Sequence, residues 1–165
     1  MDAPVKDPVC GMEVGAQQNE VVYLGISYAF CSVQCRERFL DSPHLYVGWP
    51  GQRAPKQQGR EVIKRRQLHL TSPIPPEKLP TLTHAIQSLM GVKDITVSGD
   101  EIVITYDLLQ ATAEQIEANL AEAGAKIGKG WSDRLRRAFI HYTEECEIGN
   151  LSEEGTSHGC SSHSH

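Results

Sequence analysis

Cysteine thiols are the side chains of this 165-residue chain with the most chemistry to offer, and three of its five cysteines fall in one short stretch. Cys10 stands in Asp7-Pro8-Val9-Cys10-Gly11-Met12, and Phe30-Cys31-Ser32-Val33-Gln34-Cys35 follows with two more cysteines four apart. The second pair lies where a strand pattern gives way to a helical one. Such spacing gathers sulfur donors around one point, and the chemistry it suits is binding of a soft transition metal. Three thiolates fit trigonal Cu(I), whereas Zn2+ wants a fourth ligand. Candidates for that fourth position are Asp7, His44 and the tail residues His158, Cys160, His163 and His165. The alternative use of the three thiols is apolar packing against the rest of the chain, since free cysteine behaves as a small hydrophobe.

The elements that must position these thiols can be read locally. Pro8 and Gly11 favour a tight turn around Cys10. Residues 19–24 and 27–30, rich in Val, Tyr and Phe and separated by Gly25-Ile26, read as a hairpin that delivers Cys31 to the start of a helix. Ser32 is a good N-cap, and residues 33–40 would form about two turns before Ser42-Pro43 stops them. Cys35 then shares a face with Phe39, and the free N–H groups of the first turn are expected to lower its pKa. A module of about 45 residues buries too little apolar surface to stand comfortably alone, so a metal or a partner surface is expected to hold it. A structural Zn2+ supplies on the order of 10–16 kcal/mol in such cases.

With the closing Phe39-Leu40-Asp41-Ser42-Pro43-His44-Leu45-Tyr46, residues 7–46 resemble a YHS domain, a small treble-clef-like module related to the TRASH type. The resemblance implies a metal-associated role, because such modules are found beside heavy-metal and copper-transporting P-type ATPases. YHS-like modules also accompany oxygenase and oxidoreductase components.

The remaining chain has a different rhythm. After the YHS module (1–48), residues 49–60, with Pro50, Gly51, Pro55 and Gly59, read as a linker. In 61–130 an extended run at 61–71 is followed by a helix over 79–90 with Leu82, Ala85, Ile86 and Leu89 on one face. Residues 92–98 and 101–106 alternate around Gly99-Asp100, a hairpin signal. Thr112 with Gln115 opens a capped helix that Gly124 ends, and 125–127 would be a last strand. The order β-α-β-β-α-β is ferredoxin-like, and it resembles heavy-metal-associated, copper-chaperone-like domains. Those carry a C-x-x-C in the loop after the first strand. Here that loop, residues 71–76, has no cysteine, so the resemblance implies a scaffold or docking surface rather than a second metal site. His69 and His84 read as surface residues. A C-terminal helix over 131–148, capped by Ser132, is expected to turn Leu135, Phe139, Tyr142 and Cys146 inward. The tail from 149 to 165 loses periodicity and ends in a short metal-capturing composition of His and Cys.

The fold class expected is therefore α+β. A hydrophobic content of 39% is ordinary for a globular chain, and no apolar run approaches the length of a membrane span, so the protein is not expected to be membrane-embedded. The chain enters its first motif directly from Asp2 with no apolar leader, which places it in the cytoplasm, where thiols stay reduced. A net charge of −5 argues against nucleic acid as a partner. Arg53, Lys56, Arg60, Lys64, Arg65 and Arg66 nevertheless crowd one segment, read as a solvated linker and strand edge. No catalytic dyad or phosphate-cradling glycine loop is recognisable, so the chain is not expected to be an enzyme. The reading is a soluble metal-binding accessory protein, a chaperone, sequestering protein or sensor for Cu(I) or Zn2+, partnered by a metal-transporting P-type ATPase and compatible with a homo-oligomer. The alternatives are a structural-zinc interaction module and an accessory subunit of an oxygenase or oxidoreductase.

Overall fold

In the N-terminal module, β1 (Val5–Lys6) pairs with β2 (Glu13–Val14), and the six residues between them form the knuckle that carries Cys10. The knuckle closes by Asp7 N–H to Met12 O (2.9 Å) and Gly11 N–H to Asp7 O (2.8 Å). Gly11 has φ +79°, a region glycine enters without a Cβ clash. The hairpin expected next is present as β3 (Val21–Tyr23) and β4 (Ile26–Tyr28), with Leu24 and Gly25 both at positive φ as a two-residue primed turn requires. It leads into α1 (Val33–Asp41), capped by Ser32, whose Oγ accepts from Cys35 N–H at 3.3 Å. Beyond Pro43 one further turn, α2 (His44–Val47), buries Leu45 and Tyr46.

The computed structural model describes residues 3–153, without the side chains of Trp131, Ser132 and Leu135. Residues 49–60 do not run free as a linker would. Trp49 bridges to Gln52, a 3-10 turn spans Lys56–Gln58, Ala54 is buried, and Trp49 Nε1 donates to Ser152 O at 2.9 Å. That last contact fastens the stretch to the other end of the chain.

A three-stranded antiparallel sheet follows, built from β5 (Ile63–His69), β6 (Val92–Ser98) and β7 (Glu101–Asp107) in the order β5-β7-β6. Its apolar face, with Ile95, Ile102, Ile104 and Tyr106, is covered by α3 (Leu79–Gln87) through Leu82 and Ile86 and by α4 (Ala113–Glu122) through Ile116 and Leu120. The expected capping box is formed: Thr112 Oγ1 accepts from Gln115 N–H and Gln115 Oε1 from Thr112 N–H.

Two expectations for this half are corrected. The last strand of the ferredoxin-like order is reduced to a single bridge, Leu70 with Ile127, flanked by Thr71 N–H to Lys126 O (2.7 Å) and Gly128 N–H to His69 O (2.9 Å). The segment available for it is short: α4 ends at Glu122 with Gly124 at φ +90°, and the final helix begins at Trp131. That helix, α5 (Trp131–Glu153), runs past the expected end at 148, and a different face of it is buried. Phe139, Tyr142 and Cys146 are exposed, while Glu144, Ile148 and Leu151 are buried. The rotation follows Glu144, whose carboxylate accepts from Tyr106 OH and from Ala113 N–H (2.9 Å) and lies 3.6 Å from Arg66.

One hydrophobic cluster joins the two halves. The joint is the turn between β7 and α4, where Leu108 and Leu109 are fully buried. Arg38 donates to Leu108 O (3.0 Å), Tyr46 OH to Leu109 O, and Gln34 Nε2 to Met90 O (2.9 Å) and Gln110 O (3.2 Å). Helix α1, which carries Cys35, is thus seated directly on the sheet half. Among the described residues no helix is long and apolar enough to cross a membrane.

Candidate metal centre

Asp7 is the residue around which the site is assembled. It is almost fully buried, at 1% exposure, and both of its oxygens are in use. Oδ1 accepts from Val9 N–H (2.8 Å) and Cys10 N–H (3.3 Å), and Oδ2 accepts from Cys31 N–H (2.8 Å). One carboxylate therefore ties the Cys10 knuckle to the strand-to-helix junction that holds Cys31. A second brace comes from the loop before the hairpin. Gln18 Nε2 donates to Cys31 O and Asn19 Nδ2 to Phe30 O, each at 3.1 Å, and Phe30 N–H returns to Gln18 O. Sequence reasoning missed this Gln-Asn brace. Asn19 has φ 45°, a left-handed position that Asn tolerates better than most residues, and an Asn two residues before a strand was the available signal.

These braces put Cys10 Sγ 3.5 Å from Cys31 Sγ, and Cys31 Sγ 3.6 Å from Cys35 Sγ. The three sulfurs and an Asp7 oxygen all lie within 4.8 Å of one another. The sulfurs are too far apart for a disulfide, whose bond is about 2.05 Å. A trigonal or tetrahedral ion with metal–sulfur bonds of about 2.3 Å spaces its sulfurs about 3.8–4.0 Å apart, so the Cys10–Cys31 and Cys31–Cys35 separations need widen by only a few tenths of an ångström to accept one. Cys35 is fully buried, while Cys10 and Cys31 are half-buried and form the open side.

The thiols are electrostatically unequal. The Cys35 thiol donates to Cys10, and with help from Met12 N–H this lowers the Cys10 pKa from 9.0 to about 7 against the opposing effect of burial. Burial raises Cys31 to about 11. Cys35 is raised further, first by its hydrogen bond to Cys10 and then by burial and the Asp7 charge. This corrects the expectation that the helix start would lower Cys35: its proton is held by the neighbouring sulfur, and Cys10 becomes the first thiolate.

The remaining sequence candidates are not brought to the site. His44 is committed elsewhere, with Nδ1 3.1 Å from Gly48 O, Nε2 3.4 Å from Tyr23 OH, and its ring stacked on Trp49 at 3.4 Å. His158, Cys160, His163 and His165 lie outside the described residues. Asp7 is in the cluster, but its hydrogen bonds mark it as the clamp. The cluster also sits at the opposite end of the sheet from the cysteine-free loop 71–76. That loop leaves beside the β6–β7 turn, where Leu70 N–H bonds Asp100 O, whereas Gln34 and Arg38 of α1 grip Met90 and Leu108 at the far end of β7.

The YHS domain family matches residues 5–49. Among solved structures, the chain is similar to the solution structure of apo-CopP from Helicobacter pylori, with 21% identity over 39% of this chain and 100% of that one and a TM-score of 0.37. No curated protein sequence matches the chain. Residues 5–49, which hold Asp7 and all three clustered cysteines, are a YHS domain.

Proposed function

We propose that this chain is an accessory protein of heavy-metal homeostasis that takes up one soft ion, Cu(I) in preference to Zn2+, at Cys10, Cys31 and Cys35 and hands it on to a metal-transporting P-type ATPase. The observation that carries the reading is the set of three reduced thiols within one metal's reach, two of them half-exposed and no histidine among them. Three soft donors with an open side favour Cu(I), which is content with three, over Zn2+, which completes a tetrahedron. An open side also lets an incoming thiolate replace the outgoing ones, the step that transfer between carriers requires. The apolar core that joins the YHS module to the sheet half gives the module its stability without metal, which supports carriage of the ion over a purely structural zinc role. In this reading the chain itself catalyses nothing.

The test is native mass spectrometry under reducing conditions on the full chain, on a form ending at Glu153, and on Cys10→Ser/Cys31→Ser/Cys35→Ser. One Cu(I) on the first two forms and none on the third is the expected result. No ion on any form, with the chain folded, would leave the cysteines as core residues.

A further inference from the structure

The short last strand has left an edge of the sheet open. Val62 and Leu70 bond toward β7, through Leu108 N–H to Val62 O (2.8 Å) and Leu70 N–H to Asp100 O (2.7 Å). In the alternation of an antiparallel ladder, the backbone groups of residues 63, 65, 67 and 69 therefore point away from β7. At His69 that side is used, by Gly128 N–H. Among the described residues, Ile63, Arg65 and Gln67 have no backbone partner on this side, since β7 is the sole neighbour of β5 in the sheet. In the ferredoxin-like order a fourth strand would run here, and this chain supplies one bridge of it.

Beside the open edge lies a groove of about 410 Å3, bounded by Arg65, Arg66 and Gln67 of β5, Val103 of β7, and Arg136, Phe139 and Ile140 of α5. Its charge is unbalanced. Among the described residues, Arg65 and Arg136 are exposed and carry no ion pair or hydrogen bond, and Arg66 lies 3.6 Å from Glu144 with its buried Nε unpartnered. In a chain of net charge −5, the two exposed guanidinium groups of Arg65 and Arg136 border the groove where a strand is missing, while Arg66 is paired with Glu144. Phe139, 67% exposed, adds an apolar wall.

We propose that the β5 edge is a docking site for an extended acidic segment of a partner protein, which adds a strand beside Ile63–Gln67 and directs carboxylates to Arg65 and Arg136. Edge-side N–H and C=O groups supply main-chain bonds, and alternate side chains of the added strand supply selection. A second copy of this chain is a poor occupant, because pairing β5 with itself would oppose Lys64, Arg65 and Arg66 with their own kind. Residues 154–165 are poor as well, with Glu154 their one acidic side chain. The surface is on the sheet half and is independent of metal binding at the cysteines.

The experiment measures binding of a short fluorescent peptide alternating Glu and Val to the full chain by anisotropy, against a counterpart with Lys for Glu. The acidic peptide is expected to bind and the basic one not, with Arg65→Glu and Arg136→Glu each weakening the complex about tenfold or more. Gln67→Pro removes an edge-side N–H while leaving the ladder to β7, and is expected to abolish binding. Should that variant fail to fold, a peptide N-methylated at alternate amides tests the same bonds on unaltered protein and is expected not to bind. Equal binding of the Lys peptide, undiminished binding by the N-methylated peptide, or a single-stranded oligonucleotide binding in its place would overturn the proposal. So would self-association that Gln67→Pro abolishes.

Discussion

Replacing Asp7 with Asn separates a clamp from a ligand. The carboxylate accepts three backbone N–H bonds with both oxygens, while an amide has one oxygen to accept with and presents an NH2 to donors on the other side. Bonds to a buried charge contribute about 1.5–3 kcal/mol each, and an orphaned buried N–H costs about 1–3 kcal/mol. The three bonds share one group and do not add, so a loss of about 3–5 kcal/mol is expected, a large part of the roughly 5–15 kcal/mol that holds a domain together. For a chain of this size that corresponds to a Tm drop of about 6–20 °C. With Cys10 and Cys31 no longer pinned, metal affinity should fall about 10–100-fold without being lost, the usual effect of removing a group that orients ligands. The assays are thermal unfolding of the metal-free protein in reductant and competitive titration with a Cu(I) chelator. An Asp7→Asn protein as stable as the parent, yet unable to hold the ion, would show that Asp7 is a direct ligand and refute the clamp.

Three further outcomes are expected. His44→Ala should leave metal stoichiometry and affinity unchanged, because its ring is engaged with Trp49, Tyr23 and Gly48; a measurable loss in the same titration would return it to the ligand set. Stability of the metal-free protein should depend on pH with two signs. Cys10, lowered to about 7, adds stability that grows as pH rises from 7 to 9, whereas Cys31, raised to about 11, and Cys35, raised further, keep protons that the unfolded chain releases above 9, so stability then falls. Denaturant unfolding across this range should show that rise and fall in the parent and not in the triple Ser variant; identical profiles would remove the thiol network as their cause. Gly91→Ala should cost about 2–4 kcal/mol, from a positive φ of 90° and a Cβ 2.6 Å from Gln110 Cβ, and should loosen α1, which Gln34 anchors to Met90 and Gln110. Hydrogen exchange along α1 checks it.

How much of this was legible in the sequence depended on how local the signal was. The Cys31–Cys35 pair, the Ser32 cap, the Thr112–Gln115 box and the Gly99-Asp100 turn are short-range devices, each carried by residues a few positions apart. The fastening of residues 49–60 was not, since Trp49 meets Ser152 across most of the chain. The buried face of α5 was misread for a related reason. Glu144 looks like a break in an apolar stripe until Tyr106, Ala113 and Arg66, distant in sequence, supply its partners. The fourth strand was read from the order of elements, but between the end of α4 at Glu122 and the start of α5 at Trp131 the chain makes one bridge to β5. At the site, residue types predicted the gathering of thiols, while the division of protons among them depended on distances of 3.5 and 3.6 Å that no spacing rule provides.

The central claim is that Cys10, Cys31 and Cys35 together hold one soft ion. X-ray absorption at the copper edge of the Cu(I)-loaded full chain measures this most directly. A first shell of three sulfurs at about 2.3 Å, lost in the triple Ser variant, is the expected result. A shell of nitrogen and oxygen, or sulfur scattering that survives loss of the three cysteines, would contradict it.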